Sequence, residues 1–405
     1  MARLTGRQIV LGITGSISAY KAAEVVRALV QEKADVRVTM TKEATQFVGP
    51  MTFSALTGHP VAVEQFPAHG QPGEEHIDLA TWADVVAIVP ATANIIGKVA
   101  NGLADDLLST VLIACEAPCC LAPAMNFRML KKPAVQANMD VLRHRGCHII
   151  ESTYGPLANG EIGEGRLADP EQIVEAIALL ADARQDLTGR RVLISAGPTI
   201  EAIDPVRYIT NRSSGKMGFA VARMAAQRGG AVTLITGPTN QPDPYGVTVE
   251  RVQSAEEMHQ AVFYHLDGQD AVVLAAAVAD YRPRQQADQK IKKGDMTLSL
   301  EMERTRDILK EVAQNKPPAL VGFAVETQNG LQYAKQKLIE KNLDLVVYND
   351  ITIEGAGFDV DTNIVTLLHK DGREEILPKQ LKMDVADRIM DEVVALLHAH
   401  EPVLS

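Results

Sequence analysis

Two turns rich in small residues hold most of the chemical potential of this 405-residue sequence. The first, Gly12-x-x-Gly15-Ser16, closes an apolar strand pattern. Backbone N–H groups at such a turn, backed by a helix N-terminus, suit a phosphate. The spacing is not the GxGxxG of dinucleotide binding, and Thr39-Met40-Thr41 stands where an acid would meet a ribose. Both features favour a mononucleotide such as FMN over NAD; an ordinary tight βα turn is the alternative. The second turn is Arg212-Ser213-Ser214-Gly215-Lys216-Met217-Gly218, ahead of a helix pattern. Its hydroxyls, glycines and lysine suit an anion, but the Gly-x4-Gly-Lys-Ser/Thr spacing of a Walker A loop is absent.

Further polar residues stand at strand ends, where open α/β sheets bind ligands. In the first half these are Pro90-Ala91-Thr92-Ala93-Asn94 and Pro123-Ala124-Met125-Asn126, with His76 in Glu74-Glu75-His76-Ile77-Asp78. A lone His is more often a surface or core side chain than a catalyst. In the second half, Ala275-Ala276-Ala277-Val278-Ala279-Asp280 closes on an acid, and Lys290-Ile291-Lys292-Lys293 is a short basic cluster. An isolated lysine run is by default solvated charge. Gly322-Phe323-Ala324-Val325-Glu326-Thr327, Lys337 and Lys341 complete the set.

The elements that must position these residues alternate. Residues 8–14 form a strand pattern, apolar residues recur at helical spacing from Ala22 to Val30, and 34–40 alternates as a second strand. This βαβ unit implies a parallel sheet. Strand patterns follow at 85–90, 118–122 and 147–151, and a helix at 170–181. The plan restarts near 190, with strands at 191–195, 231–236, 270–276, 321–324 and 343–347 and a helix at 219–227. A hairpin is expected around Asp371-Gly372, then a closing helix over 385–397. The fold class is therefore α/β, with two Rossmann-like parallel-sheet domains divided at 187/188.

With 40 Lys plus Arg against 51 Asp plus Glu, the net charge of −11 argues against broad nucleic-acid binding. The four cysteines make no CxxC pair and read as reduced thiols. The opening residues lack a signal-peptide core, and no apolar run reaches membrane-spanning length. These features lead to the expectation of a cytoplasmic protein.

Taken together, the first-half segments resemble the homo-oligomeric flavin-containing cysteine decarboxylases over residues 6–180. The resemblance implies a flavodoxin-like domain, with FMN held by Gly15, Ser16, Ile17, Thr41, Thr92, Ala93 and Asn94. It further implies Ala124 lining the flavin, His76 acting at the active site and Asn126 holding the substrate carboxylate. The chemistry fits these roles. An N-acylated cysteine has no carbonyl beside its carboxylate to accept electrons, and oxidation of its thiol to a thioaldehyde supplies that sink. Members that make the saturated product use a Cys proton donor in a Leu-Ala-Cys-Gly segment. Here the segment reads Pro156-Leu157-Ala158-Asn159-Gly160. A carboxamide is not a useful acid, whereas a thiol with a reference pKa of about 8.5 is. The expectation is oxidation and decarboxylation without the final reduction.

The second half is similar to bacterial phosphopantothenate–cysteine ligases, and the whole chain to the fused bifunctional enzymes of coenzyme A biosynthesis. That resemblance implies activation of the 4′-phosphopantothenate carboxylate by CTP to an acyl cytidylate, which cysteine then opens to the amide, with Mg2+ offsetting phosphate charge. Asn211 is implied to contact the acyl intermediate and Lys290 to assist its formation or breakdown. Ala275, Ala276, Asp280, Phe323, Lys337 and Lys341 are implied to bind the nucleotide. Arg306, Asp307, Ile308 and Leu309 match the nucleotide loop, although the family often has Pro in place of Arg306. Flavin-domain trimers sharing sites and ligase-domain dimers would build a dodecamer. The alternatives are a ligase whose flavin domain is a scaffold or an enethiol-forming decarboxylase, and a generic nucleotide-dependent oxidoreductase.

Overall fold

The computed structural model describes residues 4–66, 75–182, 184–292, 298–326, 330–350, 357 and 359–400. Of the residues singled out above, Glu74, Lys293 and Thr327 lie outside that set. The chain forms two compact units, Met1–Ala183 and Arg184–Ser405.

The first unit runs β1 (Gln8–Ile13), α1 (Ala22–Gln31), β2 (Asp35–Met40), α2 (Pro50–Thr57), α3 (Glu75–Trp82), β3 (Val85–Ala91), α4 (Ala93–Ala100) and α5 (Leu107–Ala114). It continues with β4 (Cys119–Pro123), α6 (Phe127–Leu130), α7 (Pro133–His144), β5 (His148–Ile149), β6 (Thr153–Pro156), β7 (Ile162–Arg166) and α8 (Pro170–Ala181). The main sheet is parallel with order β2-β1-β3-β4-β5, the flavodoxin-like order expected. Helices on both faces explain why β3 is buried along its whole length. On one face Val10, Val86, Ile88 and Leu121 pack with Ile95, Leu108 and Leu142. α1 buries Ala22, Val25, Val26 and Leu29, the apolar stripe read from the sequence. Asp106 caps α5 through a reciprocal capping box with Ser109, and Lys98 Nζ lies 2.6 Å from both Asp105 and Asp106. Lys98 is thus engaged in holding a helix start. The β6–β7 hairpin did not emerge from the sequence patterns.

The second unit runs β8 (Arg191–Ala196), β9 (Ile200–Ala202), β10 (Tyr208–Thr210), α9 (Lys216–Gln227), β11 (Ala231–Thr236), β12 (Val247–Arg251), α10 (Ala255–His265), β13 (Ala271–Leu274), β14 (Tyr281–Pro283) and β15 (Met302–Arg304). Then come α11 (Ile308–Val312), β16 (Ala319–Glu326), α12 (Gly330–Glu340), β17 (Leu345–Asp350), β18 (Thr362–His369), β19 (Glu374–Leu381) and α13 (Lys382–His400). The sheet order is β12-β11-β8-β13-β16-β17-β18-β19. Its first six strands are parallel in the Rossmann order 3-2-1-4-5-6. β18 and β19 add an antiparallel hairpin turning at Asp371-Gly372, with Gly372 at φ +90° as the turn requires. α9 and α13 cover one face with Phe219, Val221, Ile389 and Val393. Arg228, 2% exposed, ends α9 between Asp186 and Asp391 at 2.5 and 2.8 Å. Asp387 adds a third carboxylate at 3.3 Å, so the nearly buried guanidinium is matched by partly exposed acids on several sides.

Candidate functional site

In the first unit the strand order reverses between β1 and β3, which opens a crevice at their carboxyl ends. Thr14, 1% exposed, ties the two loops there. Its Oγ1 donates to Pro90 O at 2.7 Å and accepts from Thr92 N at 3.1 Å. A Cβ on Gly15 would lie 2.5 Å from Glu43 Cβ, so the close approach of this turn to the β2 loop requires glycine. Thr92 caps α4.

The third wall is the β6–β7 hairpin. Met125 N donates to Gly165 O at 3.0 Å. Gly165 has φ +109°, and a Cβ there would meet Met125 O at 2.1 Å. This backbone contact brings the hairpin turn over the loop after β4.

The result is a cavity of about 590 Å³. It is lined by Gly15, Ser16 and Ile17 from the first loop, Thr92 and Ala93 from the second, Ala124 and Asn126 from the third, and Asn159 from the hairpin. His76, Thr41 and Asn94 are not among its lining residues. His76 stands half-buried in the first turn of α3. Thr41 is buried beside the site, with its N–H donating to Ile13 O at 2.9 Å, and Asn94 is exposed on α4.

One residue in this region had drawn no attention in the sequence. Glu161 Oε2 accepts from Asn159 Nδ2 at 2.7 Å and from Asn126 Nδ2 at 3.3 Å, and Oε1 accepts from Arg128 Nη2 at 2.5 Å. The hydrogen bond from Asn159, then those from Asn126 and Arg128, hold its carboxyl below the usual carboxylate range. The four cysteines are free thiols away from this cavity; burial pushes Cys120 up to about 12.

The second unit has a cavity of about 550 Å³ at the carboxyl ends of β8, β13 and β16. It gathers Ala276, Asp280, Arg306, Asp307, Ile308, Leu309, Phe323, Lys337 and Lys341, and adds Ser195 and Arg304. Lys337 Nζ donates to Phe323 O at 2.6 Å, which fixes the lysine across the strand end. Lys341 lies 2.8 Å from Asp307, the cap of α11. Burial raises the Asp307 carboxyl, but the hydrogen bond from Lys341 prevails and leaves it below its usual value. Arg306 turns its guanidinium onto Glu311, at 3.2 and 3.3 Å. Ala275 donates its N–H to Ser195 O at 3.1 Å, immediately before the lining residue Ala276.

Asn211 and Lys290 are not lining residues of this cavity. Asn211 Nδ2 donates to Val278 O at 3.0 Å, bracing the loop that leads to Asp280. Lys290 is exposed, and its segment is anchored by Asp204, 2% exposed, a loop residue to which the sequence alone assigns no role. Asp204 accepts from the backbone of Val206, Arg207 and Ile291 at 2.9, 2.8 and 3.1 Å and from Arg207 Nη2 at 2.5 Å. Arg207 Nη2 also donates to Ile291 O at 2.8 Å. The Arg207 guanidinium holds the Asp204 carboxyl well below the usual carboxylate range. Ser213, Ser214 and Lys216 line a separate cavity of about 660 Å³ beside the start of α9.

Each unit thus presents a ligand cavity at the carboxyl edge of a doubly wound sheet. Residues 2–181 match the Flavoprotein family, and residues 187–397 match the family described as DNA/pantothenate metabolism flavoprotein C-terminal domain. The chain is 47% identical over 397 residues to the coenzyme A biosynthesis bifunctional protein CoaBC of Bacillus subtilis (strain 168), covering 97% of this chain and 98% of that protein. It is 44% identical over 397 residues to the protein of that name from Escherichia coli (strain K12), covering 96% of this chain and 97% of that protein. The crystal structure of the C-terminal domain of a coenzyme A biosynthesis bifunctional protein CoaBC is 42% identical, spanning 53% of this chain and 99% of that one with a TM-score of 0.46. The chain belongs to the CoaBC family of bifunctional coenzyme A biosynthesis proteins. Among the described residues, no helix is long and apolar enough to cross a membrane.

Proposed function

We propose that residues 188–405 join 4′-phosphopantothenate to cysteine at the expense of CTP, and that residues 1–187 decarboxylate the 4′-phosphopantothenoyl-cysteine formed, using FMN. The observation that supports this most strongly is the meeting of eight nominated residues from four separate segments in the first cavity.

The first cavity suits FMN. Gly15 and Gly165 let the first loop and the hairpin close tightly on their neighbours, and Ser16 and Thr92 bring hydroxyl-bearing helix starts to the cavity wall. FMN held by these residues would supply the two-electron oxidant that turns the substrate's CH2–SH into a thioaldehyde, with hydride leaving from carbon and the proton from sulfur. Asn126 holds the substrate carboxylate and orients it for loss as CO2. His76 supplies acid/base chemistry from a neighbouring subunit of a trimer. Asn159 has no proton to give at neutral pH, so the enethiol leaves without saturation and the flavin is left reduced; each further turnover then needs an electron acceptor such as dioxygen to reoxidise it.

In the second unit the carboxylate of 4′-phosphopantothenate attacks the α-phosphate of CTP and pyrophosphate departs. Cysteine nitrogen then attacks the acyl cytidylate and CMP leaves. Lys337, Lys341 and Mg2+ offset phosphate charge, Phe323 and Asp280 seat the nucleoside, and Asn211 and Lys290 serve the acyl intermediate. Dimers of this unit combine with trimers of the first into a dodecamer, in the cytoplasm.

Flavin absorbance together with CO2 release from 4′-phosphopantothenoyl-cysteine tests the first activity. Flavin without CO2 would make the first unit a scaffold.

Asp204→Asn tests the positioning of Lys290. It should slow ligation by about 10-fold to 100-fold, as misplacement of a reacting group does, and leave CO2 release intact. Because the folded carboxyl is held low, the anchor is fully present above the ordinary carboxylate range. It is lost only as pH falls through the folded value, so ligation near neutral pH should show no titration from this group. Equal ligation rates for the variant and the parent would remove Asp204 from this role.

A further inference from the structure

The geometry points to a carboxylate receptor built from Asn126, Arg128 and Asn159, which Glu161 occupies until substrate displaces it. This rests on the decarboxylase reading of the first cavity. Both amides are fixed in direction. Asn126 Oδ1 accepts from Arg128 N at 2.9 Å and Asn159 Oδ1 accepts from Glu161 N at 3.2 Å, so both NH2 groups face the same carboxylate oxygen. Arg128 takes the other oxygen. Three side chains thus present the donors that any carboxylate needs, and two of them, Asn126 and Asn159, line the cavity.

Asn159 acquires a purpose here that its missing acidity would not suggest. A carboxamide at this position donates to a carboxylate, which a thiol does only weakly. Two carboxylates cannot share these donors without strong repulsion. Glu161 sits on the turn between β6 and β7, and its side chain is 32% exposed, so it can swing to solvent. The competition between Glu161 and substrate therefore appears as a penalty on affinity for carboxylated ligands alone.

The test uses the full-length flavoprotein. KM is measured from CO2 release with 4′-phosphopantothenoyl-cysteine in air, so that dioxygen reoxidises the flavin, and the inhibition constant is measured for 4′-phosphopantetheine, which lacks the carboxylate. Glu161→Ala and Glu161→Gln should each lower KM roughly threefold to tenfold, the share of time the receptor was self-occupied. The effect should be confined to KM, and the inhibition constant of 4′-phosphopantetheine should not move. Arg128→Ala should raise KM, modestly because that side chain is 69% exposed. An unchanged or raised KM in both Glu161 variants, or an equal shift for 4′-phosphopantetheine, would overturn the proposal. If the parent protein releases no CO2, the decarboxylase reading fails on its own, and direct binding of the two ligands to parent and variants still decides this one.

Discussion

Asn159→Cys is expected to change what the first unit releases, from the enethiol to saturated 4′-phosphopantetheine. Asn159 lines the cavity with Ala124 and Asn126, so a thiol there faces the same space as the substrate. The turn that carries it has a backbone closure of its own besides the contact from Glu161 N to the Asn159 amide. Gly160 takes the left-handed φ of +83°, and its N–H donates to Leu157 O at 2.9 Å. A cysteine thiol with a reference pKa of about 8.5 can deliver a proton to carbon and be reprotonated from water. Positioned general acids contribute about 10²-fold to 10⁴-fold, so the fraction of saturated product should rise from near nothing to most of the turnover. Mass analysis of the products of parent and variant reads this directly. The variant also removes an amide donor that Glu161 and the substrate carboxylate both use, so the product ratio rather than KM reads this effect. Enethiol as the main product of the variant would remove position 159 from proton delivery, and saturated product from the parent would mean that the chain already has another donor.

Lys290→Gln carries the second large effect. Negative charge grows on oxygen as the acyl cytidylate forms and breaks, and a cation there is worth more than a neutral amide. Losing one such stabilising group typically costs about 10²-fold to 10³-fold in kcat, so amide formation with cysteine should become undetectable in an ordinary assay. The side chain is exposed, which leaves no folding penalty to confuse the result. CO2 release from added 4′-phosphopantothenoyl-cysteine should match the parent, since that chemistry belongs to the other unit. Unchanged ligation would remove Lys290 from the mechanism and leave the Asp204–Arg207 anchor as a purely structural contact.

Elements with strong periodicity were legible in the sequence. The apolar run behind Gly12 became β1, the 22–30 pattern became α1, and Asp371-Gly372 made its hairpin. The β6–β7 hairpin was not legible because Thr153-Tyr154-Gly155-Pro156 and Ile162-Gly163-Glu164-Gly165-Arg166 lack a sustained apolar alternation. Glycine there serves close approach to Phe127 and Met125 rather than pairing preference. Glu161 was invisible for a related reason: an acid in a glycine-rich run reads as solvated charge until Asn126, 35 residues away, is folded beside it. Asp204 reaches Ile291 across 87 positions, and no local pattern marks a contact of that kind. Thr14 was hidden differently, since its hydroxyl looks like any strand-ending residue until Pro90 and Thr92 close over it. Motifs identified the segments; the contacts that aim them at each other are long-range and side-chain specific.

The central claim is that one chain performs both steps and stops short of saturation at Asn159. The most direct measurement incubates the purified flavoprotein with CTP, Mg2+, 4′-phosphopantothenate and cysteine and resolves the products by mass. The account predicts CMP and pyrophosphate, 4′-phosphopantothenoyl-cysteine as a transient, then CO2 with the enethiol as the end product, in air so that dioxygen reoxidises the reduced flavin. Absence of CMP, or full conversion to 4′-phosphopantetheine by the unaltered chain, would contradict it.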